Sequence, residues 1–191
     1  SEIVDAIQNY RIEKYSDSIP PEVASAIENS KKDLYDLQRQ RKSFESMQIN
    51  VFYAKKWQIN DGAPESRRIT MEKERDQQEN VFKKSEQKYK SSISTLENLV
   101  NRCKDLKRFD LYKLLLSEEA DLLVNEATNR KERVSYLDNE IPKAKKPKFF
   151  GGMDSCYRSR LEEMQRNARN EAYNLEQRAA NIRALLMSYQ E

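Results

Sequence analysis

Apolar residues recur along this chain at alternating steps of three and four, the spacing that lays one stripe along a helix and turns it towards a partner helix. From Glu65 to Ile141 the pattern runs without a Gly or a Pro. It predicts one uninterrupted central helix over about 65–141, on the order of 110 Å long at about 1.5 Å per residue. The alternative is a bend between Lys104 and Asp110, where the stripe changes phase, or at Ser117, whose Ser-Glu-Glu reads as a helix start. Either bend would turn a rod into a compact bundle. The first half of that helix presents Phe82, Tyr89, Ile93, Leu96, Val100 and Cys103. The segment before it is opened by Pro20 and Pro21 and closed by Asn60, Asp61, Gly62 and Pro64, a turn cluster. It presents Val23, Ile27, Ser30, Leu34, Leu37 and Phe44. If the chain reverses there, the two stripes face each other antiparallel, with partner numbers summing to about 126. Phe44 then meets Phe82, Leu37 meets Tyr89 and Val23 meets Cys103, and Arg41 falls opposite Glu86.

The second half of the central helix repeats this with the C-terminal segment, reversing between Pro142 and Met153, and partner numbers now sum to about 295. Leu137 meets Tyr157, Val134 meets Leu161, Leu123 meets Ala172 and Phe109 meets Leu186. Large residues mostly face small ones, which lets two helices approach closely. The predicted fold is all-α: an elongated coiled-coil rod whose one long central helix is flanked by two antiparallel helices, making two tandem helical hairpins. Residues 1–17 form a short N-terminal helix with Ile3, Ile7 and Tyr10 on one face. Residues 21–105 form the first hairpin and 106–191 the second, continuous with it.

Two stretches do not fit this scheme. Past Phe44 the stripe continues as Met47, Val51 and Ala54, yet the segment opposite offers Arg75, Gln78 and Glu79. On the central helix, Leu111, Leu114, Leu115, Leu122 and Val124 fall outside the stripe used by the C-terminal helix. An exposed apolar strip of that size is unusual on a soluble monomer. Either the N-terminal helix covers it, or it is a homodimer contact.

Charged residues make up 35% of the chain and apolar ones 37%, too polar for a thick globular core but ordered enough to argue against disorder. There is no histidine, which removes the commonest general base and metal ligand. Gly151-Gly152 lacks the spacing and the Lys-Ser/Thr of a phosphate-cradling loop. The acidic run Glu118, Glu119 and Asp121 reads as a solvated helix face. Cys103 lies on the apolar stripe as a small core residue, and Cys156 has no accompanying base. These observations predict no catalytic residue, no cofactor, no metal and no small-molecule substrate. Two separated cysteines form no disulfide framework, so a reducing, cytoplasmic setting is expected. No apolar run approaches the roughly 18 residues of a membrane span, and the start has no secretory signal. A chain that opens on Ser1 and closes in helical pattern at Glu191 is expected to be a segment of a longer protein.

One segment stands apart in chemistry. Residues 143–160 carry six positive charges and one negative, so the basic excess of a chain whose net charge is +3 sits at one tip. Lys143, Lys145, Lys146 and Lys148 lead into Phe149 and Phe150, a pattern that an anionic membrane surface attracts at roughly 1 kcal/mol per Lys, with added burial of the rings. The alternative is a packed connector. The leading functional expectation is a non-enzymatic scaffold or adaptor that binds protein partners and spaces them. The second is a peripheral membrane protein using the tip. In that case the layout of long helices and a basic tip is broadly similar to membrane-shaping BAR domains, though no motif carries the likeness. Nucleic-acid binding ranks third, because no broad Arg/Lys stripe accompanies the tip.

Overall fold

The computed structural model of the chain describes residues 19–145 and 152–189, the side chains of 60, 145 and 152–156 excepted. It consists of four long helices, α1 (Pro21–Asp61), α2 (Glu65–Asp105), α3 (Phe109–Glu140) and α4 (Gly152–Ser188), with a 3₁₀ segment, Ile141–Lys145, extending α3. The described residues contain no strand, so the all-α class read from periodicity holds. The predicted helix over 1–17 lies outside the described residues.

α1 begins where a missing N–H leaves no helical bond unmade, with Pro21 in the first turn. It ends at Gly62, whose φ of +67° is left-handed, and the N–H of Ala63 donates back to the Trp57 carbonyl at 3.1 Å. A Cβ added there would meet nothing within 4 Å, so the positive φ, not crowding, is what calls for glycine. α2 then returns along α1 as predicted. Phe44 stacks on Phe82 with ring centroids 5.6 Å apart, and near the turn Arg68 Nε donates to Gln58 Oε1 at 2.7 Å.

The uninterrupted central helix does not form. α2 stops at Asp105, where Arg108 N–H donates to Cys103 O at 2.8 Å and Lys107 N–H to Lys104 O at 3.0 Å. These nested bonds are a Schellman cap. Lys107 takes the left-handed position, φ +56°, that glycine usually fills, at a cost of about 1–2 kcal/mol. The Arg108 side chain, buried, holds Asp110 through bonds of 3.1 and 2.7 Å and so anchors the first turn of α3.

α3 therefore folds back beside α1. Lys31 bridges to Glu118, Gln38 donates to Asn125, and Tyr53 donates to Glu140. In each pair the residue numbers differ by 87, so α1 and α3 run parallel along their whole shared length. α2 and α4 share the other side of the molecule, with Arg178 placed 3.8 Å from Glu97. Two helical hairpins lie side by side as a four-helix bundle instead of end to end as a rod.

The unmatched apolar surface explains the fold-back. Ile49, Val51 and Ala54 of α1 are buried. Ile49 packs with Leu137, Ile141, Ala144, Tyr157 and Leu161 of the second hairpin, and Phe52 meets Tyr157 edge-on at 5.3 Å. Leu111, Leu115 and Leu122 are buried in one cluster with Val23, Ile27, Leu34 and Leu37 of α1, and Leu114 packs against that cluster. Val124 is half-buried. Leu111, Leu115 and Leu122 of the strip read as either covered by the N-terminal helix or a homodimer contact are thus covered within the chain, by α1 and α2. Burial of each leucine is worth about 1.5–3 kcal/mol, so three of them exceed the cost of the strained Lys107.

The register of the second hairpin also differs. Its side-chain pairs, from Phe109 with Tyr189 through Gln165 with Val134 and Arg130 with Glu171 to Lys131 with Glu176, sum to 298–307 instead of 295. Pro142 does not end the helical path. The chain continues through the 3₁₀ segment to Lys145, keeping Ile141 and Ala144 buried.

Candidate functional site

The contact between α1 and α3 is ionic at its centre. Arg41 Nη1 donates to Glu126 Oε2 at 3.2 Å, and its Nη2 bonds Glu126 Oε1 and donates to Asn129 Oδ1 at 2.7 Å. One turn along α1, Glu45 accepts from Arg130 Nη1 at 2.9 Å and lies against Arg133 Nε. Arg130 Nε reaches Glu171 of α4 at 2.9 Å, tying a third helix to the cluster. Glu45, Glu126 and Arg130 are each less than 9% exposed. Arg41 and Glu45 on α1, and Glu126 and Arg130 on α3, stand four residues apart on their helices, the spacing of ordinary solvent-facing ion pairs. Here each bonds across to the other helix.

Burial alone would depress the guanidinium pKa of Arg41. The hydrogen bond and charge of Glu126, with Glu45 and Glu171 behind, outweigh burial and raise it. Arg133 is the opposite case: burial lowers its pKa, and Glu45 and Tyr136 only partly offset that. Its guanidinium lies over the Tyr136 ring, 4.8 Å from the centroid, and its Nη2 is buried with no hydrogen-bond partner.

Two clefts flank this ionic seam. The first, about 250 Å³, opens between α1 and α3 and is lined by Lys42, Ser46, Asn129, Glu132, Arg133 and Tyr136 among others. The second, about 430 Å³, is a groove between α2 and α4 with α1 and α3 as its floor. Leu37, Tyr89, Ile93, Leu123 and Leu175 give it apolar walls. The pairs Glu86 with Lys90 and Glu97 with Arg178 edge it. Burial raises the Tyr89 hydroxyl pKa above its ordinary value, with the Glu126 charge adding to the effect. The sequence pattern set Arg41 opposite Glu86, but Arg41 bonds Glu126 and Glu86 pairs with Lys90 on its own helix.

At the predicted tip, Lys143 is exposed and pairs with Glu140 at 3.1 Å, a hydrogen bond that raises its amine pKa. The side chains of Lys145, Lys146, Lys148, Phe149 and Phe150 lie outside the described residues, as does that of Cys156. Cys103 is fully buried, and burial pushes its thiol pKa up to about 11. Among the described residues no group of His, Cys, Asp or Glu is arranged to hold a metal ion, and no helix is long and apolar enough to cross a membrane. No family model, curated protein or solved structure matches the chain. What the geometry defines is an all-helical bundle with an ionic seam and a groove on either side of it.

Proposed function

We propose that the chain is a non-enzymatic helical scaffold that binds a protein partner in the groove between α2 and α4, its hairpins packed in coiled-coil fashion and its partner an amphipathic helix. The observation carrying this reading is the groove itself: about 430 Å³ with apolar walls and charged edges, framed by two parallel helices. That volume suits a few large side chains on one face of an entering helix, the helix-in-groove mode of recognition. A cytoplasmic, reducing setting accords with it. The test is selection from a library of amphipathic helical peptides, with binding followed by fluorescence anisotropy. Leu175→Glu and Ile93→Asp, at half-buried groove positions, should abolish binding while helicity by circular dichroism is unchanged. Peptides that bind the parent and both variants equally would refute the groove as the contact.

A second reading, peripheral attachment to an anionic membrane, is favoured by the charge at 143–160 beside Phe149 and Phe150. Co-sedimentation with anionic and neutral liposomes separates it from the first. Replacing Lys143, Lys145, Lys146 and Lys148 with Gln should remove a salt-sensitive part of any binding. Unchanged sedimentation would exclude the tip.

A further inference from the structure

The cleft on the α1 and α3 side has features that a scaffold role does not use. Its lining holds four cationic side chains, Arg41, Lys42, Arg130 and Arg133, against two carboxylates, Glu45 and Glu132. Glu45 is shared by three of those cations: it bonds Arg130, lies against Arg133 and stands 3.9 Å from Arg41. Arg41 has Glu126 and Arg130 has Glu171 as further anionic partners. Arg133 is left with a share of one carboxylate and a buried, unpartnered Nη2. A buried guanidinium nitrogen without an acceptor is costly, and a carboxylate or phosphate oxygen is the acceptor its planar fork fits. Lys42, exposed on the same cleft, is one turn from Glu45 on α1 and opens the site to solvent. The volume, about 250 Å³, is many times the roughly 30 Å³ that one water takes in the liquid.

We propose that this cleft binds a small tetrahedral oxyanion of the phosphate or phosphomonoester class, held by the Arg133 guanidinium and the Lys42 amine with Asn129 and Ser46 beside them. With Glu126 on Arg41 and Glu171 on Arg130, the positive charge left to an entering anion is that of Lys42 and of the part of Arg133 that Glu45 does not satisfy. Tyr136 backs Arg133 through its ring and keeps the guanidinium plane fixed.

The experiment is a titration of the whole chain with inorganic phosphate, and in parallel with glycerol 3-phosphate, at constant ionic strength set with chloride. It is read by the guanidinium ¹⁵N shift of Arg133 and by the thermal midpoint. Saturable binding with an Arg133 shift is expected for at least one of the two. Preference for glycerol 3-phosphate points to an esterified ligand, and preference for phosphate to the free ion. Lys42→Gln, at an exposed position that leaves the fold intact, should weaken binding about fivefold or more. Arg133→Lys, which keeps the charge but loses the fork, should weaken it at least as much. The proposal is overturned if phosphate acts no differently from chloride, or if both variants bind as the parent does. A shared acceptor role for water would give the first of those results.

Discussion

Glu45→Ala is the sharpest test of the ionic seam. Glu45 is 8% exposed and is the carboxylate that Arg130 and Arg133 share across the helix contact. Without it Arg41 still has Glu126 and Arg130 still has Glu171, whose side chain is half in solvent. Among the described residues Arg133 then has no carboxylate within ion-pair distance. Removing one member of a buried pair costs about 3–5 kcal/mol, because the partner charge stays buried and uncompensated. At a urea slope of about 2 kcal/mol per molar, the denaturation midpoint should fall by roughly 1.5–2.5 M with the slope unchanged. Glu45→Gln keeps the shape and one acceptor, and should lose about 1.5–3 kcal/mol, the worth of a charge-assisted bond. Adding Arg133→Met to Glu45→Ala should recover part of the loss, because the orphaned charge goes with it. A midpoint shift under about 0.5 M for Glu45→Ala, with no recovery in the double variant, would mean that the three arginines are solvated and the seam is not a buried network.

Three further outcomes follow from particular residues. Lys107→Gly should raise stability by about 0.5–1 kcal/mol in chemical denaturation, the left-handed penalty removed less the extra freedom of glycine in the unfolded chain; destabilisation would place the residue outside that region. Cys103, with its thiol pKa pushed up to about 11 by burial, should resist Ellman's reagent at pH 8 until the protein is unfolded, and prompt labelling would contradict its place in the core. Burial raises the pKa of Glu119, with repulsion from Glu97 added and attraction from Arg178 opposing. The folded state therefore holds that proton more tightly than the unfolded state, and stability falls as pH rises through the carboxyl range. Glu119→Gln should be more stable than the parent at pH 7 and converge with it below about pH 4; parallel stability curves would refute the assignment.

The first hairpin was legible because its signals are local. Gly62 and the flanking prolines mark the turn, and Phe44 and Phe82 fall at matching steps from it. The break near Lys107 was legible only as one alternative, from the change of stripe phase between Lys104 and Asp110; its conformation was not, because the residue that takes the left-handed position is a lysine and nothing in its type announces it. Pro142 misled in the other direction: it reads as a stop, yet it fits the start of the 3₁₀ segment, and Ile141 and Ala144 carry the apolar stripe past it. The ionic seam was hidden for a third reason. Arg41 with Glu45 and Glu126 with Arg130 have the spacing of pairs that face water, and only the return of α3 brings them together. The signals that pointed to that return were the change of stripe phase between Lys104 and Asp110 and the excess of leucine from Leu111 to Leu122, more than the C-terminal helix could cover. The candidate clefts depend on the same return, so neither could be read from periodicity.

Leucines provide the energy that brings α3 back onto α1, but they do not by themselves say at what level the two helices stop. A greasy stripe tolerates sliding by a turn, since another leucine replaces the one that left. The order of charge does not. On α1 Arg41 precedes Glu45, and on α3 Glu126 precedes Arg130, so the observed alignment sets each charge against its opposite. Sliding α3 by four residues one way brings Arg130 against Arg41. Sliding it four the other way brings Glu126 against Glu45. Either places like charges in contact, about 4 kcal/mol unfavourable for a pair at about 4 Å in an effective dielectric near 20. Buried ion pairs contribute little net stability compared with well-packed apolar residues, and their best-attested use is to select one register among several. The groove depends on that selection. α2 and α4 are each locked to their own partner helix, so the level at which α1 meets α3 also sets the level at which Glu97 faces Arg178, and Tyr89 and Ile93 face Leu175. A slip of one turn, about 5.4 Å, would leave both hairpins intact and take the two walls of the groove out of step.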